Sequence, residues 1–156
     1  MNKNSRAAKA LGKLLAVISG IILLAVLLAA WFIGGQTRAV NKYFASRASG
    51  NYKEYAALLP EGSGENKPGK ADEYSAQCKS FFRGLPEFEA LSETDVISSK
   101  IKVNEHRMNG SWTKWTCTAD VDFYCSGSSI SYKDVKVDLS FSSGRWCFAG
   151  TDFPNE

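Results

Sequence analysis

The feature that most constrains this chain is a run of twenty residues, Leu14 to Ile33, that contains no charged side chain. As an α-helix, such a run is about 30 Å long, which matches the hydrocarbon core of a bilayer. A helix in a soluble core normally keeps a polar face, whereas only Ser19 and Gly20 interrupt this apolar surface. The run therefore predicts a transmembrane helix.

A cleaved signal peptide is the alternative interpretation of the same segment. Signal peptides have an apolar region of about 7–15 residues, followed by small residues at the cleavage site. This run is longer, and its best small pair is Ala29-Ala30, where the position two before Ala30 is Leu28. We therefore favour a retained anchor over a cleaved signal.

Charges beside the run predict its orientation. Basic residues precede it, with no acidic residue among the first 33 positions, and basic flanks favour the cytoplasmic side. We predict a single-pass protein of a cell membrane, with a cytoplasmic N-terminus and the lipid bilayer as its first partner. The predicted division is a cytoplasmic basic tail (1–13), the transmembrane helix (14–33), a linker (34–39) and an extracytoplasmic α+β domain (40–156).

The net charge of +3 comes from the N-terminal tail. Four of the 19 basic residues lie in that tail, which leaves 15 against 16 acidic residues in the rest of the chain. These charges are interleaved rather than clustered, so nucleic-acid binding is not predicted. The exported part is long enough for one domain with its own core.

All four cysteines, Cys78, Cys117, Cys125 and Cys147, follow the apolar run. An even number of cysteines on the exported side predicts two disulfides. Three connectivities are open, of which Cys78 to Cys117 is the simplest, and four buried thiols are the alternative. The chain has no C-x-x-C pair and one histidine, His106, so neither a metal site nor a cofactor is predicted.

Helical spacing of aromatic and aliphatic residues predicts two short helices within residues 40–60, interrupted at Gly50-Asn51. It is left open whether the first continues the apolar helix, since only two glycines separate them. A polar, glycine-rich loop is predicted at residues 61–70, followed by a third helix with Asp72 as its N-cap and Arg83 as its last residue. After the helices, apolar residues alternate with polar ones, which is typical of half-buried antiparallel strands.

Helices followed by strands predict an α+β fold: an N-terminal transmembrane helix, then short helices packed on a curved antiparallel sheet of about four strands. The alternation of inward-facing and outward-facing residues predicts the strand register, because residues that face each other must lie on the same face of the sheet. It pairs Val103 with Cys117 across a three-residue loop or its bulged equivalent, Cys117 with Leu139, and Leu139 with Phe148. His106 is predicted to be a solvated residue near a hairpin tip.

The stretch FASRASGNYKEYAALLP, residues 44–60, resembles the opening of nuclear-transport-factor-2-like (NTF2-like, also called cystatin-like) domains. The Gly-x-Trp pattern of their last strand has its counterpart in Gly144-Arg145-Trp146. The resemblance covers about residues 37–153. It implies a cone-shaped domain in which a curved sheet and helices enclose a pocket. It also implies relatives that are isomerases, dehydratases, ligand-binding proteins or parts of cell-envelope machines.

A pocket of this kind requires an ionisable group inside it for catalysis. The strand acids Asp120, Asp122 and Asp138 fall on the other face, and Glu105 shares the inward parity but lies beside a turn, so no catalytic residue is predicted. The candidate pocket lining is aromatic and aliphatic: Tyr43, Tyr55, Tyr74, Phe82, Trp115, Val121 and Val137.

The predicted function is that of a membrane-anchored extracytoplasmic module that binds a protein partner or a small apolar ligand without catalysis. One alternative is a subunit of a cell-envelope secretion or conjugation machine. The second alternative is a small isomerase or hydrolase of the same fold.

Overall fold

A computed structural model describes residues 3–61, 69–85, 96, 98–125 and 127–153, with side chains from residue 11 onward. Residues 62–68 of the predicted polar loop lie outside this part of the chain. The element order confirms the predicted α+β fold. The elements are α1 (Lys3–Ser49), α2 (Tyr52–Ala56), α3 (Lys70–Arg83), β1 (Ser98–Asn109), β2 (Ser111–Cys125), β3 (Ser128–Ser142) and β4 (Arg145–Thr151).

The chain divides into two compact units, residues 1–34 and 35–156. The first unit belongs to α1, and the large apolar side chains from Leu11 to Ile33, except that of Phe32, are at least 43% exposed. Among the described residues, one helix is long and apolar enough to cross a membrane, and none of its most apolar window is buried.

Residues 34–39, predicted as a linker, lie within α1, which runs to Ser49. Glycine has a poor helix propensity, but close packing requires one of the two glycines here. A Cβ atom at Gly35 would lie 2.8 Å from the indole Cδ1 of Trp146, whereas one at Gly34 would meet no heavy atom within 4 Å. The globular unit thus begins at a glycine that lets α1 approach β4.

The predicted interruption after α1 is confirmed. Gly50 takes a left-handed conformation with φ of 64°, which costs glycine little, and Asn51 is the N-cap of α2. Helix α3 begins at Lys70 and ends as predicted before Gly84. The predicted N-cap at Asp72 is wrong, because Gly69 is the N-cap and Asp72 lies in the first turn of the helix.

The four strands form one antiparallel sheet in the order β1-β2-β3-β4. The last hairpin has the predicted register, with Leu139 opposite Phe148. The predicted pair of Cys117 with Leu139 is wrong, because Cys117 lies opposite Val137. This shift is of two residues, so both side chains keep their predicted face.

The predicted pair of Val103 with Cys117 is also wrong: Val103 lies opposite Ala119, and His106 lies opposite Cys117. Two irregularities cause the change. Near the hairpin tip, the step from Met108 to Asn109 on β1 lies opposite the four-residue step from Trp115 to Ser111 on β2. Farther along β1, Asn104 is a bulge, an extra residue between two consecutive pairs. Each irregularity reverses the parity of the facing residues. Between the two, His106 therefore points inward.

The core lies between the inward face of the sheet and the helices, and it is rich in aromatic rings. Phe44 of α1 makes edge-to-face contacts with Phe123 of β2 at 6.2 Å and with Phe153 at 5.8 Å between ring centroids. The outer edge of β4 is partly covered, since the Phe148 amide donates a 2.7 Å hydrogen bond to the carbonyl oxygen of Leu58.

Candidate functional site

The predicted pocket residues include three tyrosines that the fold brings together around one cation. The Arg47 guanidinium carbon lies 5.7, 5.8 and 5.6 Å from the ring centroids of Tyr43, Tyr55 and Tyr74, and 5.2 Å from that of Phe81. These distances are within the range of cation–π attraction. We call this group, Arg47 with its four rings, the Arg47 cluster.

Hydrogen bonds and stacking hold the tyrosines of the Arg47 cluster in place. The Tyr74 hydroxyl lies 3.2 Å from the Ser46 hydroxyl, which donates to the Tyr43 carbonyl oxygen at 2.8 Å. The Tyr55 and Tyr74 rings stack at 4.7 Å between centroids. Burial raises the pKa of the Tyr43 and Tyr74 hydroxyls, so both hydroxyls stay protonated at neutral pH.

The other predicted pocket residues occupy different places. Phe82 packs edge-to-face on Phe123 at 5.0 Å, inside the core. Val121 and Val137 are completely buried on the inward sheet face. Trp115 lies near the β1–β2 hairpin, where its indole nitrogen donates to the Trp112 carbonyl oxygen at 2.8 Å.

A second group of polar side chains meets on the inward face of the sheet. The His106 Nδ1 atom lies 2.7 Å from Gln36 Oε1, and the Cys117 Sγ atom lies 3.4 Å from His106 Nδ1 and 3.8 Å from Gln36 Oε1. Gln36 and Cys117 are completely buried, while His106 is half-buried. We call these three residues, from α1, β1 and β2, the thiol–imidazole cluster.

Burial holds this cluster in its uncharged form. It raises the pKa of the Cys117 thiol to about 12, with a smaller contribution from the charge of Asp138, and it lowers the pKa of His106. A neutral thiol is a poor nucleophile. One atom of the buried amide, Gln36 Nε2, has no hydrogen-bond partner within the described part of the chain.

Sequence reasoning missed both Gln36 and His106 as inward-facing residues. Gln36 falls in the predicted linker, although in a continuous helix it precedes the buried Val40 and Tyr43 by four and seven residues. That spacing was the available signal. For His106 the local pattern carried no such signal, because the Asn104 bulge that turns it inward depends on pairing with β2.

The predicted disulfides are not confirmed, since all four cysteines are free and buried. The suggested bond from Cys78 to Cys117 is not confirmed either: the Cys117 sulfur contacts His106 and Gln36, whereas Cys78 lies on α3, one turn after Tyr74. Cys125 and Cys147 lie on β2 and β4. Among the described residues, no three histidine, cysteine, aspartate or glutamate side chains converge as metal ligands.

The opposite face of the sheet carries an open groove of about 520 Å³, which we call the open-face groove. Its size is in the range of ligand-binding clefts. It begins at the β1–β2 hairpin and crosses to β3. Its lining is polar and carries both charge signs: Glu105, Arg107, Met108, Asn109, Gly110, Thr116, Thr118 and Lys136.

Glu105 lines this groove. The alternation along the sequence instead predicts it on the inward face. The cause is again the Asn104 bulge, which puts Glu105 opposite Thr118. Next to the groove, the Thr116 hydroxyl donates to Asp138 Oδ1 at 2.5 Å. The groove therefore presents hydroxyl groups, one carboxylate and two cations to solvent.

Comparisons with known proteins give a likeness of fold only. No protein-family model and no curated protein matches the chain. Among solved structures, it is similar to a designed NTF2 protein, with 8% identity over 76% of this chain and 96% of the other, at a TM-score of 0.46. It is also similar to an NTF2-like protein of unknown function from Shewanella oneidensis MR-1, with 13% identity over 79% and 93% of the two chains and a TM-score of 0.41.

A third similar structure is a SEC-C motif containing protein from Rhodopseudomonas palustris. It is 15% identical over 70% of this chain and 71% of its own, at a TM-score of 0.41. Two of these three structures are thus of the NTF2-like type that the motifs at residues 44–60 and 144–146 resemble.

Proposed function

We propose that this protein is a membrane-anchored, extracytoplasmic module that binds a partner protein in the open-face groove and performs no reaction of its own. The observation that carries the proposal is the groove itself: a polar cleft of about 520 Å³ on the sheet face that the helices leave open. The inward face, in contrast, is occupied by the core and by the Arg47 cluster.

The apolar part of α1 supports the anchor. Its side chains are exposed over a length that matches a bilayer, and exposed apolar surface of this extent is unfavourable in water. The basic residues before it favour a cytoplasmic N-terminus. The same helix continues into the globular unit, which would therefore be held close to the membrane surface.

The lining of the groove favours a polar partner segment over a small apolar ligand. Arg107 and Lys136 provide two cations, and Thr116 and Thr118 lie between them on β2. Such groups recognise acidic and hydrogen-bonding side chains. At the Arg47 cluster, by contrast, an apolar ligand would have to displace a guanidinium from four rings.

The absence of catalysis is part of the proposal, and the strand acids support it. Asp122 accepts a 2.6 Å hydrogen bond from Ser131, and Asp120 forms an ion pair with Lys133 at 3.4 Å. Both lie on the wet face, where ordinary salt bridges and hydrogen bonds account for them. A general acid or base instead needs a shielded site that tunes its pKa.

Site-specific photocrosslinking in native membranes tests the groove. A photoreactive phenylalanine analogue replaces Lys136, which lines the groove, or Lys79, an exposed lysine on α3. The expected result is a discrete protein adduct at position 136 that is absent at 79 and is lost in the Arg107→Glu background. Equal adducts at both positions, or none at 136, would contradict binding in the groove. Adducts that migrate with a large complex would favour the alternative, a subunit of a cell-envelope machine.

Protease accessibility in intact cells tests the anchor and its orientation separately. An epitope tag placed after Glu156 should be removed by protease added to intact cells, while the chain stays in the membrane fraction after a carbonate wash. A tag that resists protease until the cells are lysed would reverse the topology. A chain released by the wash would exclude the anchor.

A further inference from the structure

We infer that the thiol–imidazole cluster is a binding site for a soft monovalent metal ion, Cu(I), with Cys117 Sγ and His106 Nδ1 as the two ligands and Gln36 Oε1 as a weaker third. Three separate elements, α1, β1 and β2, bring these atoms within 3.8 Å of one another. The inference does not depend on what the open-face groove binds.

The spacing of the donors fits a single ion. Metal bonds of about 2.3 Å to sulfur and about 2.0 Å to imidazole nitrogen put the two donors about 3.5–4.3 Å apart, as the angle opens from tetrahedral to linear. The observed separation between Cys117 Sγ and His106 Nδ1 is 3.4 Å, just below this range. Binding of the ion therefore requires the half-buried imidazole to move slightly away from the thiol.

The type and number of donors select the ion. Thiolate sulfur is a soft ligand that favours Cu(I), and imidazole also suits copper. A structural zinc site requires about four strong ligands. Among the described residues, this cluster provides two strong ligands, a thiol and an imidazole, and one weaker amide oxygen. A filled-shell monovalent ion is satisfied by two or three donors, so this incomplete set is sufficient for Cu(I).

Charge balance also favours a monovalent ion. Binding releases the thiol proton to solvent and forms a Cu–S bond, so the thiolate and Cu(I) together are neutral. Neutrality matters because Cys117 and Gln36 are completely buried, and an unpaired charge in such a site is costly. A divalent ion would leave a positive charge, and the nearby carboxylate of Asp138 is already hydrogen-bonded by Thr116.

The hydrogen bonds within the cluster leave one polar atom of Gln36 unused. Gln36 Nε2 has no hydrogen-bond partner in the described part of the chain, although the side chain is completely buried. Buried amides normally satisfy both ends. An amide N–H does not ligate a cation, so the three donors to the ion are Cys117 Sγ, His106 Nδ1 and Gln36 Oε1.

The test is an anaerobic competition between the full-length protein in detergent and a chromophoric Cu(I) chelator. The wild-type chain is expected to take one Cu(I) per molecule from the chelator. Cys117→Ser should weaken binding by about 100-fold or more, because it removes the sulfur ligand, and His106→Asn by about 10-fold or more. Cys147→Ser, which changes an equally buried cysteine on β4, is the matched control and should bind as the wild type does.

X-ray absorption at the copper edge of the wild-type protein gives a result that does not depend on a variant that folds. One sulfur and an imidazole nitrogen are expected around the ion. A copper site with two or more sulfur ligands would overturn the inference. So would a wild-type chain that takes no Cu(I), tighter binding of Zn(II) than of Cu(I), or a disulfide at Cys117 in the native protein.

Discussion

Gln36 and Arg47 are two polar residues on the same face of α1, about three turns apart, and their surroundings differ. The guanidinium of Arg47 lies over four aromatic rings at 5.2–5.8 Å. The amide of Gln36 meets a thiol and an imidazole and leaves its nitrogen without a partner in the described residues. One end of the helix face thus uses its polar group for packing, while the other keeps a polar site partly open. We expect substitutions in the Arg47 cluster to change stability, and substitutions in the thiol–imidazole cluster to change ligand binding more than stability.

The largest effect is expected for Arg47→Ala, which should lower the free energy of unfolding by about 2–4 kcal/mol. The variant loses four ring contacts and opens a gap between α1 and α3. Denaturant unfolding in detergent, followed by tryptophan fluorescence, measures the change. Arg83→Ala is the matched control, since Arg83 is exposed at the end of α3, and it should change stability by less than about 0.5 kcal/mol. Similar losses for the two variants would remove the contrast between the ends of α1.

The next effect concerns the point where α1 meets β4. Gly35→Ala should cost about 1–3 kcal/mol, because the new methyl group would lie 2.8 Å from the indole of the buried Trp146. Gly34→Ala has open space around it and should stabilise the helix by up to about 1 kcal/mol. Unfolding curves of the two variants should therefore shift in opposite directions. A shift in the same direction would show that Trp146 does not pack at Gly35.

A smaller effect is expected in alkali, and it comes from the Arg47 cluster. Burial raises the pKa of Tyr43 and Tyr74 above the ordinary value of 10.0. Above pH 10 the unfolded chain therefore loses these protons first, so the contribution of the two tyrosines to stability is constant below that pH and falls as the pH rises past it. Unfolding free energies measured on both sides of pH 10 test this slope. Tyr74→Phe should flatten it, and an unchanged slope in that variant would contradict the assignment.

The smallest effect on stability is expected for Gln36→Met, within about 1 kcal/mol of the wild type, because the substitution removes an unpaired amide as well as a hydrogen bond. His106 is half-buried, so its freed nitrogen can reach water. The same variant should bind Cu(I) more weakly. A loss of stability as large as that of Arg47→Ala would mean that Gln36 is a structural clamp.

How far the sequence predicts this molecule depends on whether a feature is local. The break at Gly50-Asn51, the end of α3 at Gly84 and the pairing of Leu139 with Phe148 were predictable, because turn residues and helical or strand periodicity determine them. The open-face groove and the thiol–imidazole cluster were not. Both depend on the Asn104 bulge, whose parity change puts Glu105 outside and His106 inside. A bulge is determined by how two strands pair and not by the residue pattern within one strand.

The central claim is that these irregularities in β1 and β2 turn His106 inward against Cys117. Nuclear Overhauser contacts in the isotope-labelled protein in micelles test it most directly. The account predicts cross-strand contacts of His106 with Cys117 and of Val103 with Ala119. Contacts of Val103 with Cys117, with His106 in contact with solvent alone, would show an unbulged hairpin and contradict the account.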